Sequence, residues 1–217
     1  MTTRQQFRET VLRPLLPDAA AFSDEQLNAW IDQAILAYSG YLPNVLSGVM
    51  NLTPGQQDYD LSAFAGPAGV FDILTVELNG EYLPRLSRSD PRFSQGRFWD
   101  LVGPAQFCLS WAPQQVEPLR VTYSGVHWVP ESDASQLSIP DGHLEAIKLY
   151  VLWMAVKKLE IEHALHPDEA GLLPPALAAS SAAAEHLFRE KMHEIVSSAG
   201  LSQVTGPWKM DARDRIY

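Results

Sequence analysis

Between Met50 and Trp128 the apolar residues of this chain alternate with polar ones, whereas on either side they recur every three or four positions. A strand turns successive side chains to opposite faces, and a helix returns every third or fourth to one side, so a change of period marks a change of element. The pattern predicts an α+β protein with helices at the ends and β structure between them. The expected divisions are 1–45 for N-terminal helices, 46–138 for a β-rich insertion, 139–200 for C-terminal helices packing with 1–45, and 201–217 for an extended tail. In that arrangement the terminal helices form a small bundle and the antiparallel β segment is inserted within it.

At the N-terminal end, Phe7, Val11 and Leu12 predict a short helix over 3–13, stopped by Pro14 and Pro17, since proline lacks the N–H and clashes with the preceding turn. Ser23 and Gln26 have the spacing of a capping box. Leu27, Trp30, Ile31, Ala34, Ile35 and Tyr38 then form one apolar stripe, which Gly40 and Pro43 are expected to end. In the middle, the clearest strands are Ile73 to Leu78, Phe107 to Trp111 and Leu119 to Tyr123. The last should turn Leu119, Val121 and Tyr123 to a core, with Arg120 and Thr122 facing away. Asn79-Gly80 suits a two-residue type I′ hairpin, whose central residues both need positive φ, and it places Leu83 on the returning strand.

From Pro140 the helical period returns, with Asp141 placed to cap and Leu144, Ile147, Val151 and Met154 on one face. Leu149, Leu152, Trp153 and Val156 occupy the opposite face, so this helix is apolar nearly all round. Such a helix is buried on several sides, inside the fold or between subunits. Gly171 to Pro175 breaks the chain before a last helix from Ala176 to Ala199, with the stripe Leu177, Ala184, Phe188, Met192 and Ile195 and a cap at Gly200.

The formal net charge of -10 argues against a protein whose affinity comes from neutralising phosphates. It is compatible with surrounding a duplex, because an acidic lining repels the backbone and leaves it free to slide. The longest apolar run, Leu149 to Val156, falls far short of the roughly 20 residues of a spanning helix, so no membrane is expected as a partner. Met1 to Glu9 lacks the apolar core of a secretory signal, which implies folding in the cytosol. A lone cysteine, Cys108, excludes an internal disulfide and any CxxC centre.

Few residues are arranged for chemistry. His163 and His166 lie near Glu160 and Glu162, and His186 and His193 near Glu185, Glu190 and Glu194, but neither set has a zinc signature and both read as solvated helix faces. There is no GxSxG elbow, and Gly66-Pro67-Ala68-Gly69 lacks the spacing and lysine of a phosphate loop. Cys108 sits where every second residue is apolar, as a buried thiol would. Acidic pairs such as Glu131 and Asp133 read as surface. No catalytic residue, metal or cofactor is expected.

Features suited to contact are clearer. Arg85, Arg88, Arg92 and Arg97 stand against only Asp90 within their segment, a candidate contact for DNA or an acidic partner, or else a solvated loop. Trp99, Trp111 or Trp128 among the β aromatics, if exposed and coplanar at a groove, would make the chain a carbohydrate- or partner-binding module, and they are core or interface anchors if packed. The tail carries Trp208, Lys209, Met210, Arg213, Arg215, Ile216 and Tyr217, residue types that anchor interfaces, and reads as a docking segment ordered by binding or else as a frayed terminus.

Four stretches carry a family resemblance: SDEQLNAWIDQAILAYSGYLP, the hairpin FDILTVELNGEYLPRL, the strand LRVTYSGVHW leading to IPDGHLEAIKLYVLWMAVKKLE, and the final helix with its tail. Together they resemble the head-to-tail connector, or adaptor and head-completion, proteins of tailed bacteriophages. The resemblance implies a structural protein of the virion neck, made in the bacterial cytoplasm. Its partners would be the portal protein, a tail or second connector protein, and further copies of itself in a ring, commonly dodecameric. Double-stranded DNA would pass through the lumen without sequence-specific binding. Carried onto this chain, the resemblance places Trp208 to Tyr217 on the portal and the helix after Asp141, with Leu149, Leu152, Trp153 and Val156, near the subunit interface.

Overall fold

The computed structural model describes residues 2–16, 22–62, 69–103, 105–165 and 181–199. They form four α-helices and two antiparallel sheets, an α+β chain that divides into a helical unit, Met1–Leu42 with Val129–Tyr217, and a β unit, Pro43–Trp128. Residues 129–138, grouped by pattern with the β insertion, lie in the helical unit.

In the helical unit, Thr3 Oγ1 accepts from the Gln6 N–H while the Gln6 side chain accepts from the Thr3 N–H, a reciprocal cap for α1 (Arg4–Gln6). The chain then widens into π turns over Phe7–Leu12 and tightens into a 3₁₀ turn over Arg13–Leu15. Pro14 therefore reshapes this segment without stopping it at once, because proline is tolerated in a first turn whose N–H has no helical partner. Pro17 lies outside the described residues. Helix α2 (Asp24–Tyr41) starts where Ser23 Oγ accepts from the Gln26 N–H at 3.2 Å, and it buries all six residues of the expected stripe. It runs through Gly40: Leu42 N–H still reaches Tyr38 O at 2.9 Å, and Pro43 follows. Gly40 thus lies inside the helix.

Helix α3 (Leu144–Leu165) follows a 3₁₀ turn, Asp141–His143. The Asp141 carboxylate accepts from the backbone and hydroxyl of Thr2 at 3.2 and 3.1 Å, so it ties in the N-terminus, and no side-chain cap is formed on the turn. Ala146, Ile147, Val151 and Ala155 of α3 pack with α2 and with Phe188, Met192 and Ile195 of α4 (Ser181–Ser198). Burying each large aliphatic side chain contributes about 1.5–3 kcal/mol, so this shared core holds the unit. Leu177 and Gly200 lie outside the described residues.

The described residues of the β unit form seven strands: β1 (Asn44–Asn51), β2 (Asp58–Asp60), β3 (Asp72–Leu78), β4 (Glu81–Leu83), β5 (Trp99–Gly103), β6 (Gln106–Leu109) and β7 (Pro118–Gly125). They pair as β1-β7-β3-β4 and β2-β6-β5. Asn79 (φ 52°) and Gly80 (φ 86°) turn β3 into β4, with Leu78 opposite Glu81. Ile73, Val76, Leu78, Leu119 and Val121 from one sheet and Trp99, Phe107 and Leu109 from the other share one core. Asn44 lies opposite Gly125, so the unit begins and ends at neighbouring points.

Candidate interaction surfaces

The N-terminal segment carries Arg4, Arg8 and Arg13, and the turns of α1 and the π segment direct all three toward acids that are distant in sequence. Arg8, 3% exposed, donates to Asp133 Oδ2 at 2.9 Å and to Asn28 Oδ1 at 2.8 Å, with Glu9 and Asp24 also in ion-pair range. Arg4 bridges Asp133 at 3.2 Å and Asp32 at 3.3 Å, and Arg13 pairs with Asp24. Arg8 and Arg4 hold the Asp133 carboxyl below the usual carboxylate range, the Arg8 hydrogen bond contributing most. A buried guanidinium is tolerable only with its donors engaged, so this cluster is a fastening for the N-terminal segment, α2 and the 133 loop. Asp133, which reads as surface in the sequence, is its hub. No local pattern announces a partner 125 residues away.

On α3, Leu149 and Leu152 are half-buried against the helical core and Val156 is buried within the chain. Trp153 meets Tyr150 edge-on at 5.2 Å and stacks on Phe188 at 6.5 Å, with the Lys157 ammonium 5.9 Å above its ring. The helix keeps a partly exposed apolar margin formed by Leu149, Leu152 and Trp153.

The basic segment of the β unit is less free than its sequence suggests, because the fold adds Asp58 and Asp100 to Asp90. Arg85 lies 5.5 Å from the centre of the Trp99 ring and 3.9 Å from Asp100. The Arg88 N–H donates to Asp100 at 2.8 Å, and its guanidinium reaches Asp58 at 4.0 Å. Arg92 forks onto Asp90 at 3.0 and 2.7 Å, and its hydrogen bonds pull the Asp90 carboxyl down to about 2. Arg97 covers Trp111 at 5.5 Å. Four cations meet three acids, so only a small positive excess remains for a phosphate backbone. Trp208, Lys209, Arg213, Arg215, Ile216 and Tyr217 lie outside the described residues.

A protein-family model described as SU10 adaptor protein matches residues 2–211. The chain belongs to the SU10 adaptor protein family. That membership agrees with the phage head-tail adaptor resemblance carried by the helices and the Asn79-Gly80 hairpin. It makes the chain a structural phage component that works with other head and tail proteins. The match takes in Trp208 and Lys209 of the tail and ends before Arg213. No curated protein sequence matches the chain.

In this adaptor Cys108 and Trp99 are packed inside the β unit. Cys108 is 1% exposed on β6, and burial pushes its thiol up from the usual range. Among the described residues no three His, Cys, Asp or Glu side chains gather as a metal site, and no helix is long and apolar enough to cross a membrane. His166 lies outside the described residues. Trp99, one of three tryptophans proposed for a stacking platform, is 2% exposed and donates its indole N–H to Leu83 O at 2.9 Å. Trp111 packs on the same core, and Trp128 is 54% exposed. The three do not form one open platform.

One surface escaped the sequence reading. Val45 and Val49 on β1, at 62% and 54% exposed, and Tyr82 on β4, at 71%, project from one face of the larger sheet. The signal was apolar residues at alternate positions of β1 that look outward, visible only once the inward set Leu46, Gly48 and Met50 is known.

Proposed function

We propose that this adaptor forms a closed ring, commonly dodecameric, that joins the portal of the capsid to the tail and continues the DNA channel in the virion neck. The family match over residues 2–211 carries this reading. The helices at the two ends of the chain form a small bundle with the β segment inserted, and the tail extends from it to dock on the portal through Trp208, Lys209, Arg213, Arg215, Ile216 and Tyr217. Aromatic and arginine side chains suit that task, since they anchor interfaces when desolvated. Leu149, Leu152 and Trp153, backed by Val156, present apolar surface to a neighbouring subunit. Each copy contacts the next through two different faces until the rotation closes.

The net charge of -10 supports a channel role in which DNA slides without being held. Arg85, Arg88, Arg92 and Arg97 then meet a partner or DNA only through the part of their charge left by Asp58, Asp90 and Asp100. Portal, tail or second connector protein, sister subunits and passing duplex are the partners. The work is structural, with no bond made or broken.

Deleting Leu201 to Tyr217 tests the docking role. The shortened protein should keep its circular dichroism spectrum and lose binding to the portal of its own phage. Undiminished binding would contradict it.

A further inference from the structure

We propose that the larger sheet of the β unit continues from one subunit to the next, β4 of one copy pairing with β1 of its neighbour. The proposal rests on the ring reading and names a surface on which the ring is joined.

The order β1-β7-β3-β4 leaves β1 at one edge and β4 at the other, and because Pro84 O and the Leu86 N–H just beyond β4 are bonded to Trp99, the open part of that edge is at Tyr82. All eight residues of β1 pair with β7 on one side, and no described strand lies on the other. Open edges are normally guarded by lysine, proline or a bulge, because unpaired backbone recruits further strands. Asn44–Asn51 contains no charged residue and no proline, in a chain with 26 acidic and 16 basic residues. An edge this long and unguarded fits one that is covered in the working assembly.

Strand direction selects the partner. Every pairing in this sheet is antiparallel, so β1 runs with β3 and against β4. A neighbour's β1 laid against β4 therefore keeps the alternation and presents an open edge again at the far side, a heterologous contact that can close into a ring. Pairing β1 with β1 would stop at two copies.

The side chains agree. Val49 lies opposite Arg120, Arg120 opposite Glu77, and Glu77 opposite Tyr82, so Val49 and Tyr82 end a single row on one face. A β4–β1 junction sets the Tyr82 ring beside Val45 or Val49 of the next copy, an aromatic against β-branched pair of the kind that stabilises sheets. In a two-residue hairpin the closing pair is the hydrogen-bonded one, so the Leu78–Glu81 closure turns the Tyr82 N–H and C=O outward. Because β4 is short, each contact is weak alone and gains from ring closure.

Thiol pairing tests this. Val45→Cys, Ser47→Cys and Val49→Cys variants are each mixed with Tyr82→Cys, with and without the portal, and oxidised; Cys108 is buried and does not compete. At least one mixture should yield a β1-to-β4 disulfide, and the matching double variant a ladder up to the ring. Val49→Lys should leave a folded protein that no longer closes. Ring-sized species in native mass spectrometry with no β1-to-β4 disulfide in any mixture would overturn the junction and leave the ring standing. Disulfides between two Ser47→Cys chains alone would overturn it as an isologous pairing. Monomers under every condition, portal included, would remove the ring reading as well.

Discussion

The N-terminal arginines of the helical unit turn inward, and those around Trp99 in the β unit lie outside. Arg8 is 3% exposed and joins segments 125 residues apart, whereas Arg85 and Arg97 rest on the rings of Trp99 and Trp111 from the solvent side. The same side chain is a fastening in one unit and a cover in the other. The difference follows from what each unit has in its middle. Two facing sheets enclose a continuous apolar core around Trp99, Phe107 and Val121, so cations are needed only at its rim. The helical unit must also hold its N-terminal segment to the 133 loop, where directed ion pairs add to the backbone bridge between Thr3 and Gln136.

That contrast can be broken most sharply in the β unit. Trp99→Ala should cost about 3–5 kcal/mol in denaturant unfolding, as large-to-small core changes do. Arg97→Ala, which removes only an exposed cation–π contact, should cost about 0.5–1 kcal/mol. Equal losses would mean that the cover, and not the core, holds the sheets together.

In the helical unit the weight should fall on arginine. Arg8→Met leaves Asp133 only Arg4 and Asn28, and the acids around Arg8 are 41–47% exposed and partly solvated, so we expect a loss of about 2 kcal/mol, below the range for a fully buried pair. The pH dependence sharpens this. Asp133 titrates lower in the fold than in the unfolded chain, so its contribution is present above the unfolded value, about 3.9, and is lost as pH falls through the lower folded value. Acid titration of stability should be shallower in Asp133→Asn than in the parent. A parallel pair of curves would show that the cluster is not what fastens the 133 loop.

A smaller effect than that of Arg8 is expected at the start of α3. Tyr38 is 2% exposed and its hydroxyl is hydrogen-bonded with His143 Nδ1 at 2.6 Å. Burial pushes its ionisation up to about 12, while the unfolded phenol ionises near about 10. Its contribution is complete below the unfolded value and is lost as pH rises from there through the folded value. Tyr38→Phe should cost about 1 kcal/mol at neutral pH and flatten the alkaline limb. An unchanged limb would locate alkaline sensitivity elsewhere.

How much of this was legible depended on whether the deciding contact was local. Asn79-Gly80 declared its hairpin because only a few residues accept two successive positive φ angles, and Leu119, Val121 and Tyr123 declared their face by alternation. Ser23 marked the start of α2 for the same local reason. Strand β1 was hidden because Val45 and Val49 face out while Gly48 faces in, which erases the contrast that alternation relies on. Gly40 misled because a glycine near a helix end reads as a stop, yet Tyr41 packs against the core and prolongs the helix to Pro43. Asp133 and the acids gathered at the Arg85–Arg97 segment depended on contacts made across the fold, and no residue spacing encodes them.

Particle imaging of the full-length chain mixed with the portal of its own phage tests the central claim most directly. We predict rings of this adaptor seated on the portal, with a central opening that continues the portal channel. Portal particles that stay bare while the adaptor remains folded and separate would contradict it.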